Sequence, residues 1–417
     1  MRLCIQDPSY EKSMYLHESL LTACENGISG GGAYAFATPG GIELLLADKS
    51  FKELMNNGVF YLVIGMDDIT NTDALRTLKA YEEEYEGHLI VKAYVHNTNG
   101  STFHPKFSWF QNANGGVLII GSGNLTQNGL RRNREAFSIV DCDSISFESI
   151  IDEWNAWIEH SQPFLFDIDN ALVLSVAANN TRKRKAIFRV EQEYKEQNAF
   201  QDTAALREVF KTQPKNLGKK TRENGKKSIA PQIIESQEID TTLSDNDEYD
   251  EDAAYWTINS NSEILVAEIP KSGNRWKQVN FSKDVFENYF GATCGENGAY
   301  RVLLKSINQS GILGNTEVRP SVSVSSHNYR FELDAATGID YPRGGKRPIG
   351  VFAKVSERDF LYELVMPEDT GYNSLINTIS ERQPMSARMR RLTYPCLSIS
   401  QRTPELAIWK RIVEDNP

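Results

Sequence analysis

The sequence predicts a multidomain chain: an N-terminal α/β half, a layered sheet with helices, and a mostly β C-terminal half. Three observations carry this. Apolar runs of strand length alternate with helical periodicity up to about residue 165. From about residue 255 short strand-like runs recur between turn residues, as in a β barrel. Between them lies a charged stretch of low apolar periodicity, which reads as a linker or arm. The expected parts are therefore 1–180, 181–252 and 253–417.

In order along the first part, Met14, Leu16, Leu20, Leu21 and Ala23 place one apolar face on a helix over 14–24. Residues 33–37 read as a short buried strand after a Gly30-Gly31-Gly32 turn. That triplet lacks the spacing of a phosphate-cradling loop. A helix from 41 to about 57, a strand over 59–64, a helix over 73–86 and a strand over 89–94 follow. Asp67-Asp68 reads as a solvated strand end. The stretch 104–135 comes next, then a helix over 146–159. Trp109, Trp154 and Trp157 are expected in the core.

In 104–135, HPKFSWFQNANGGVLIIGSGNLTQNGLRRNRE, His104 and Lys106 stand two apart in an alternating run. Residues two apart on a strand share a face, so His104, Lys106 and Ser108 are expected together. An apolar strand over 117–120 ends in Gly121-Ser122-Gly123-Asn124, where glycine lets backbone turn and approach a ligand. Glu135 opens a third apolar run, 136–140. Three strand ends thus supply an imidazole, an ammonium, small hydrogen-bonding groups and a carboxylate. The set suits phosphoryl transfer without metal. A neutral imidazole can attack phosphorus, an ammonium and an amide can hold its non-bridging oxygens, and a carboxylate can fix the attacking tautomer.

The order H-x-K, then G-S-x-N, then Glu eleven residues past the Asn resembles the phospholipase D superfamily signature, here His104, Lys106, Ser122, Asn124 and Glu135. The resemblance implies an α/β phospholipase D-like fold over the first part and a covalent phosphohistidine. The acidic partner at Glu135 is that of the nuclease branch. One position departs: the fuller pattern has Asp where this chain has Gln111. The change leaves the mechanism intact and weakens a lipid-hydrolase assignment.

Composition is compatible with this. No run approaches the roughly 18 apolar residues of a membrane span, and the N-terminal residues are too charged for a secretory leader. Five scattered cysteines without CxxC or His/Cys clustering fit neither a zinc site nor a disulfide framework, and point to a reducing cytoplasm. The net charge of −11 looks unfavourable for DNA, but nine of the acids sit in 235–252. That run is read either as a solvated linker or as an intramolecular DNA mimic in a basic groove. The lysine-rich stretch 215–227 reads equally as solvated surface or as a phosphate-holding arm.

In the third part, strands are expected near 256–258, 264–269, 300–305, 317–324, 329–333, 349–354 and 361–365, with a helix over 283–289. Two polar stretches offer groups that read base edges: Lys271, Ser272, Asn274, Arg275 and Lys277, then Ser325, Ser326, His327, Asn328, Tyr329 and Arg330. IPKSGNRWKQVNFSKDVFENYFG and HNYRFEL resemble the plant-type B-three pseudobarrel of phospholipase D-like restriction endonucleases. That resemblance implies two arms gripping the major groove of double-stranded DNA. It also implies a cognate methyltransferase and, in some members, a separate ATP-dependent translocase, the one route by which ATP would enter. The C-terminal arginines Arg388, Arg390 and Arg391 read as surface.

A phosphohistidine route needs a second group to protonate the leaving oxygen. His17, His88, His96, His160 and His327 are not followed two residues later by Lys. A homodimer is therefore expected, joining two copies of His104 about a two-fold axis. The leading expectation is a sequence-specific, metal-independent DNA endonuclease. A phospholipid-processing enzyme and a noncatalytic DNA-binding protein are the alternatives.

Overall fold

The structure is a computed structural model. It describes residues 1–10, 12–98, 100–198, 255–271, 276–292, 300–320, 329–383 and 390–413, with side chains of the long helix described through Arg189. Two compact units are present: Met1–Thr181 together with Glu251–Pro417, and Arg182–Asp250. The lysine-rich stretch and the acidic run both lie outside the described residues.

The first unit opens with strand β1 (Arg2–Gln6), helix α1 (Leu16–Glu25), β2 (Ser29–Tyr34), α2 (Pro39–Leu46), α3 (Lys49–Met55), β3 (Phe60–Gly65), α4 (Thr72–Glu84) and β4 (Leu89–Tyr94). It continues through β5 (Lys106–Asn112), β6 (Gly115–Gly121), β7 (Glu135–Asp143), α5 (Ser144–Ser161), β8 (Leu165–Asp167) and the part of α6 (Ala171–Asn198) that ends at Thr181. The eight strands form one mixed sheet in the order β1-β7-β6-β5-β2-β3-β4-β8. β2, β3 and β4 run parallel, and β5 returns antiparallel beside β2. Alternate strand residues face opposite layers. Leu62, Ile64, Phe110, Ile119 and Phe137 pack with α1 to α4. Val63, Ala33 and Trp109 pack beneath Phe147 and Trp154 of α5.

Two local expectations are corrected. Gly30, Gly31 and Gly32 are not a turn but the interior of β2. The cause is packing: an added Cβ at Gly31 would stand 2.7 Å from the Trp109 ring, at Gly30 2.7 Å from Phe60, and at Gly32 2.5 Å from Ser108 Oγ. The helix expected over 41–57 is two helices, because Asp48 leaves helical geometry and caps α3 by accepting from Ser50 N at 2.8 Å.

The second sheet has six strands: β10 (Glu263–Glu268), β12 (Arg301–Ile307), β13 (Leu313–Pro320), β15 (Ile349–Ser356), β16 (Asp359–Val365) and β17 (Arg391–Pro395), ordered β13-β12-β16-β15-β10-β17. Two small ladders accompany it, β9 (Ile258–Asn259) with β18 (Ile412–Val413), and β11 (Gln278–Asn280) with β14 (Arg330–Glu332). Helices α7 (Tyr372–Arg382) and α8 (Cys396–Arg402) complete it. One sheet face holds an aromatic cluster that includes Phe281, Phe286, Phe290, Phe331 and Phe352. Residues of the other face, such as Ile264, Leu303 and Val351, belong to the same continuous core as α1 and β3. Among the described residues no helix is long and apolar enough to cross a membrane.

Candidate active site

The site is built at one end of the eight-stranded sheet, where β5, β6 and β7 meet the end of β2. Tyr34 stands opposite Lys106, Phe107 opposite Ile120, and Gly121 opposite Phe137. Register alone therefore gathers the residues on either side of these pairs. An isolated parallel bridge, Ala37 to Leu125, ties the Gly-Ser-Gly-Asn loop to the end of β2, with Leu125 N donating to Phe36 O at 3.1 Å.

His104 is exposed and lies before β5 rather than in it. Pro105 has no N–H to give a ladder; its carbonyl instead accepts from Ala35 N at 2.9 Å. The ring meets Phe36 edge-on, with centroids 6.2 Å apart. Lys106 opens the strand and is 9 % exposed. Its ammonium donates to His104 Nδ1 at 3.0 Å and to the His104 carbonyl at 3.2 Å. Burial holds its pKa below the ordinary lysine value, and the negative charge of Glu135 works against that shift. Ser108, expected on the same face, is buried and bonded to the Tyr34 hydroxyl at 2.8 Å, a core contact.

Ser122 donates its hydroxyl to the Glu135 carboxylate and accepts from Ala136 N at 3.1 Å. The other Glu135 oxygen accepts from Asn133 Nδ2 at 3.1 Å. Among the described residues no hydrogen bond joins Glu135 to His104. Within one chain the imidazole is held by Lys106, and the carboxylate acts through Ser122 and through its field on Lys106. Asn124 is half-buried, and its side-chain oxygen is buried without a hydrogen-bond partner. Such an orphan is costly and marks a place where a ligand or partner would complete the set.

Sequence reasoning missed the groups that hold this loop. Gln6, fully buried, donates to Gly129 O at 3.2 Å and Asn133 O at 2.9 Å, and accepts from Leu16 N at 2.9 Å. Gly129 lies in a one-turn π-helix, Asn128–Arg132, pressed against the Asn124 backbone. Arg131 of that turn is 1 % exposed. A glutamine in an edge strand and an arginine in a basic turn gave no signal without the fold.

Asp67 accepts from Phe103 N at 2.6 Å and faces His96 Nε2 at 3.3 Å, so it supports the segment entering His104 rather than lying free in solvent. Among the described residues no three His, Cys, Asp or Glu side chains converge as a metal cluster.

Of the two stretches expected to read base edges, the described ends, Lys277 and Tyr329, adjoin the β11–β14 ladder at its opposite ends. Lys271 is exposed; Lys277 lies 3.8 Å from Glu332. Tyr329 packs on Phe286, and the exposed Arg330 stands opposite Asn280. Ser272, Asn274, Arg275, Ser325, Ser326, His327 and Asn328 lie outside the described residues, as does Arg388. Arg390 is not surface. It is 2 % exposed and pairs with Glu268 at 2.6 Å, a buried carboxylate that requires a cation.

Residues 46–161, which contain all five site residues, match the family model described as cardiolipin synthase, PLD-like domain. This part of the chain is a PLD-like α/β domain. Solved structures are similar at low identity. Nuc, a phospholipase D family member from Salmonella typhimurium, matches at 16 % identity and TM-score 0.29, over 40 % of this chain and 95 % of that one. Yeast tyrosyl-DNA phosphodiesterase 1 matches at 13 % and 0.28, over 42 % of this chain and 40 % of that one. Phosphatidylserine synthase of Haemophilus influenzae matches at 12 % and 0.31, over 46 % of each. The chain thus spans less than half the length of the last two. A comparison with curated proteins found no match.

Proposed function

We propose that the chain is a metal-independent, sequence-specific endonuclease of double-stranded DNA, a restriction enzyme whose active site is shared across a homodimer. The observation that carries the chemistry is the Lys106 ammonium 3.0 Å from His104 Nδ1, at the sheet end that also presents Ser122, Asn124 and Glu135. An ammonium donating to Nδ1 assigns the ring proton to Nε2. A phosphoryl group entering the site is a better acceptor for that ammonium. Transfer of Lys106 onto the phosphoryl oxygens leaves the imidazole lone pair for phosphorus. His104 then forms an N–P bond as the P–O bond to the leaving nucleotide breaks, and the leaving oxygen takes a proton from His104 of a second copy, which enters the step as an imidazolium and leaves it as a neutral imidazole. Water activated by that second imidazole adds to phosphorus, the N–P bond breaks, and the first imidazole is restored. Asn124 and Lys106 hold the developing charge.

The C-terminal part, read as a B-three-like pseudobarrel, would supply sequence recognition through the segments around Lys271–Lys277 and Ser325–Arg330. No cofactor enters the chemistry. A methyltransferase, and a translocase that would bring in ATP, are partners of this reading, in a cytoplasmic setting. The family model's description favours a second reading, a phosphatidyltransferase.

The test is cleavage of plasmid DNA in EDTA, alongside phosphatidyl transfer in mixed micelles. Cleavage that survives EDTA and disappears in His104→Ala supports the nuclease; lipid turnover with intact plasmid supports the other. Mixing wild-type and His104→Ala chains after unfolding and refolding tests the shared site. Activity should fall as the square of the wild-type fraction, whereas independent sites would give a linear fall.

A further inference from the structure

The turn between Asn124 and Glu135 is fastened to its own sheet through Gln6 and, through Arg131, to the C-terminal sheet as well. Arg131 Nε donates to Asp359 Oδ1 at 2.7 Å, and its Nη2 donates to the carbonyls of Arg301 at 2.6 Å and Arg358 at 3.3 Å. These acceptors begin or precede β12 and β16. Its Nη1 reaches Glu18 Oε1 of α1 at 3.4 Å, and its guanidinium stacks on Tyr15, 4.6 Å from the ring centroid. The opposing acids raise its pKa, so it stays a cation in a buried place. Asp359 is held in turn by the Tyr255 hydroxyl at 2.7 Å, and Arg132 lies over the Tyr255 ring at 3.8 Å.

On the active-site side the same turn is backed directly onto Asn124. A Cβ at Gly129 would stand 2.5 Å from Asn124 N and 2.6 Å from Asn124 O. Asn133, which ends the turn, bonds Glu135. A shift of the turn therefore moves both ends of the catalytic loop.

We propose that Arg131 is a positioning residue whose anchorage on the C-terminal sheet sets the placement of Asn124 and Glu135, so that the C-terminal half governs turnover at a site to which it contributes no reacting atom. Asp359 and Tyr255 are the other end of this linkage. A guanidinium is required because one group must reach a carboxylate and two carbonyls in fixed directions; an ammonium offers charge without that fork. The consequence is that a ligand bound by the C-terminal half can alter turnover through β12 and β16 without touching the phosphodiester.

This inference rests on the phosphodiesterase reading, and the experiment separates the two. Full-length Arg131→Lys and Tyr255→Phe are assayed on bis(p-nitrophenyl) phosphate, a small diester that needs no sequence recognition, with circular dichroism at the assay temperature. Tyr255→Phe keeps the ring beneath Arg132 and removes the hydroxyl that donates to Asp359. The expected result is a fall in kcat of about tenfold or more for Arg131→Lys and about threefold for Tyr255→Phe, with KM within twofold in both. A residue of merely structural importance would lower the melting temperature and leave kcat of the folded protein unchanged, and that result would overturn the proposal. Should Arg131→Lys fail to fold, Tyr255→Phe decides alone. A wild-type protein that cleaves neither DNA nor the small diester would instead overturn the phosphodiesterase reading.

Discussion

Replacing Lys106 by methionine separates chemistry from architecture at this site. Methionine has a similar unbranched reach and no charge. In the structure Lys106 is 9 % exposed, and burial holds its pKa down. A lysine whose folded pKa lies below its unfolded one disfavours the folded state while it is protonated. Removing the charge should therefore leave the thermal midpoint unchanged or raise it. The lost contacts, to His104 Nδ1 at 3.0 Å and the His104 carbonyl at 3.2 Å, belong to an exposed residue that water can serve. The effect on turnover should be opposite. Loss of one preorganised donor to a developing phosphoryl charge costs about 10²–10³ in kcat, or about 3–4 kcal/mol. The assay pairs kcat on bis(p-nitrophenyl) phosphate in EDTA with a thermal melt. A variant melting several degrees lower yet retaining kcat within about tenfold would make Lys106 a structural residue and refute this account.

Other expectations follow from single contacts. Gly129→Ala should destabilise the fold by about 1–3 kcal/mol and lower kcat, because the new Cβ meets the Asn124 backbone at 2.5 Å; urea unfolding and turnover measure both. Glu18→Gln should cost about 3–5 kcal/mol, since one buried carboxylate serves Arg358 at 2.8 and 3.0 Å and Arg131 at 3.4 Å; an unfolding midpoint close to wild type would contradict this. Glu363 is buried, and that burial raises its pKa to about 7 from 4.5. The folded state then binds its proton more tightly than the unfolded one. Its contribution is complete below about pH 4.5 and is lost as pH rises through 7, roughly 3 kcal/mol in all. Glu363→Gln should flatten that part of the stability–pH curve, with Ile408 N, now 2.8 Å from the carboxylate, still satisfied. With DNA as substrate, rapid denaturation of wild type but not His104→Ala at alkaline pH, where an N–P bond survives, should trap a chain joined to DNA through phosphorus.

The candidate groups are legible in the sequence because the proposed chemistry is written in short spacings. H-x-K and G-S-x-N need only a strand end and a loop to be recognised, and 46–161 is a PLD-like domain. Strand and helix positions were also legible where periodicity was strong, as at β3, β4 and α5. The glycine triplet misled because its cause is not local. Trp109, nearly eighty residues away in the chain, lies over Gly31 and leaves no room for a side chain.

The sequence by itself determined the inventory: one imidazole in an H-x-K, its ammonium, an amide and a carboxylate, and the alternation of strands and helices that carries them. The tertiary structure alone decided what holds them. Gln6, Arg131, Asp359 and Glu18 are ordinary polar residues in sequence, and their value comes from desolvation. Buried together, charges that water would screen must be paired, and each pair fixes the backbone that bears it. That is why a loop of the first sheet is anchored by the second, a fact that no spacing along the chain encodes.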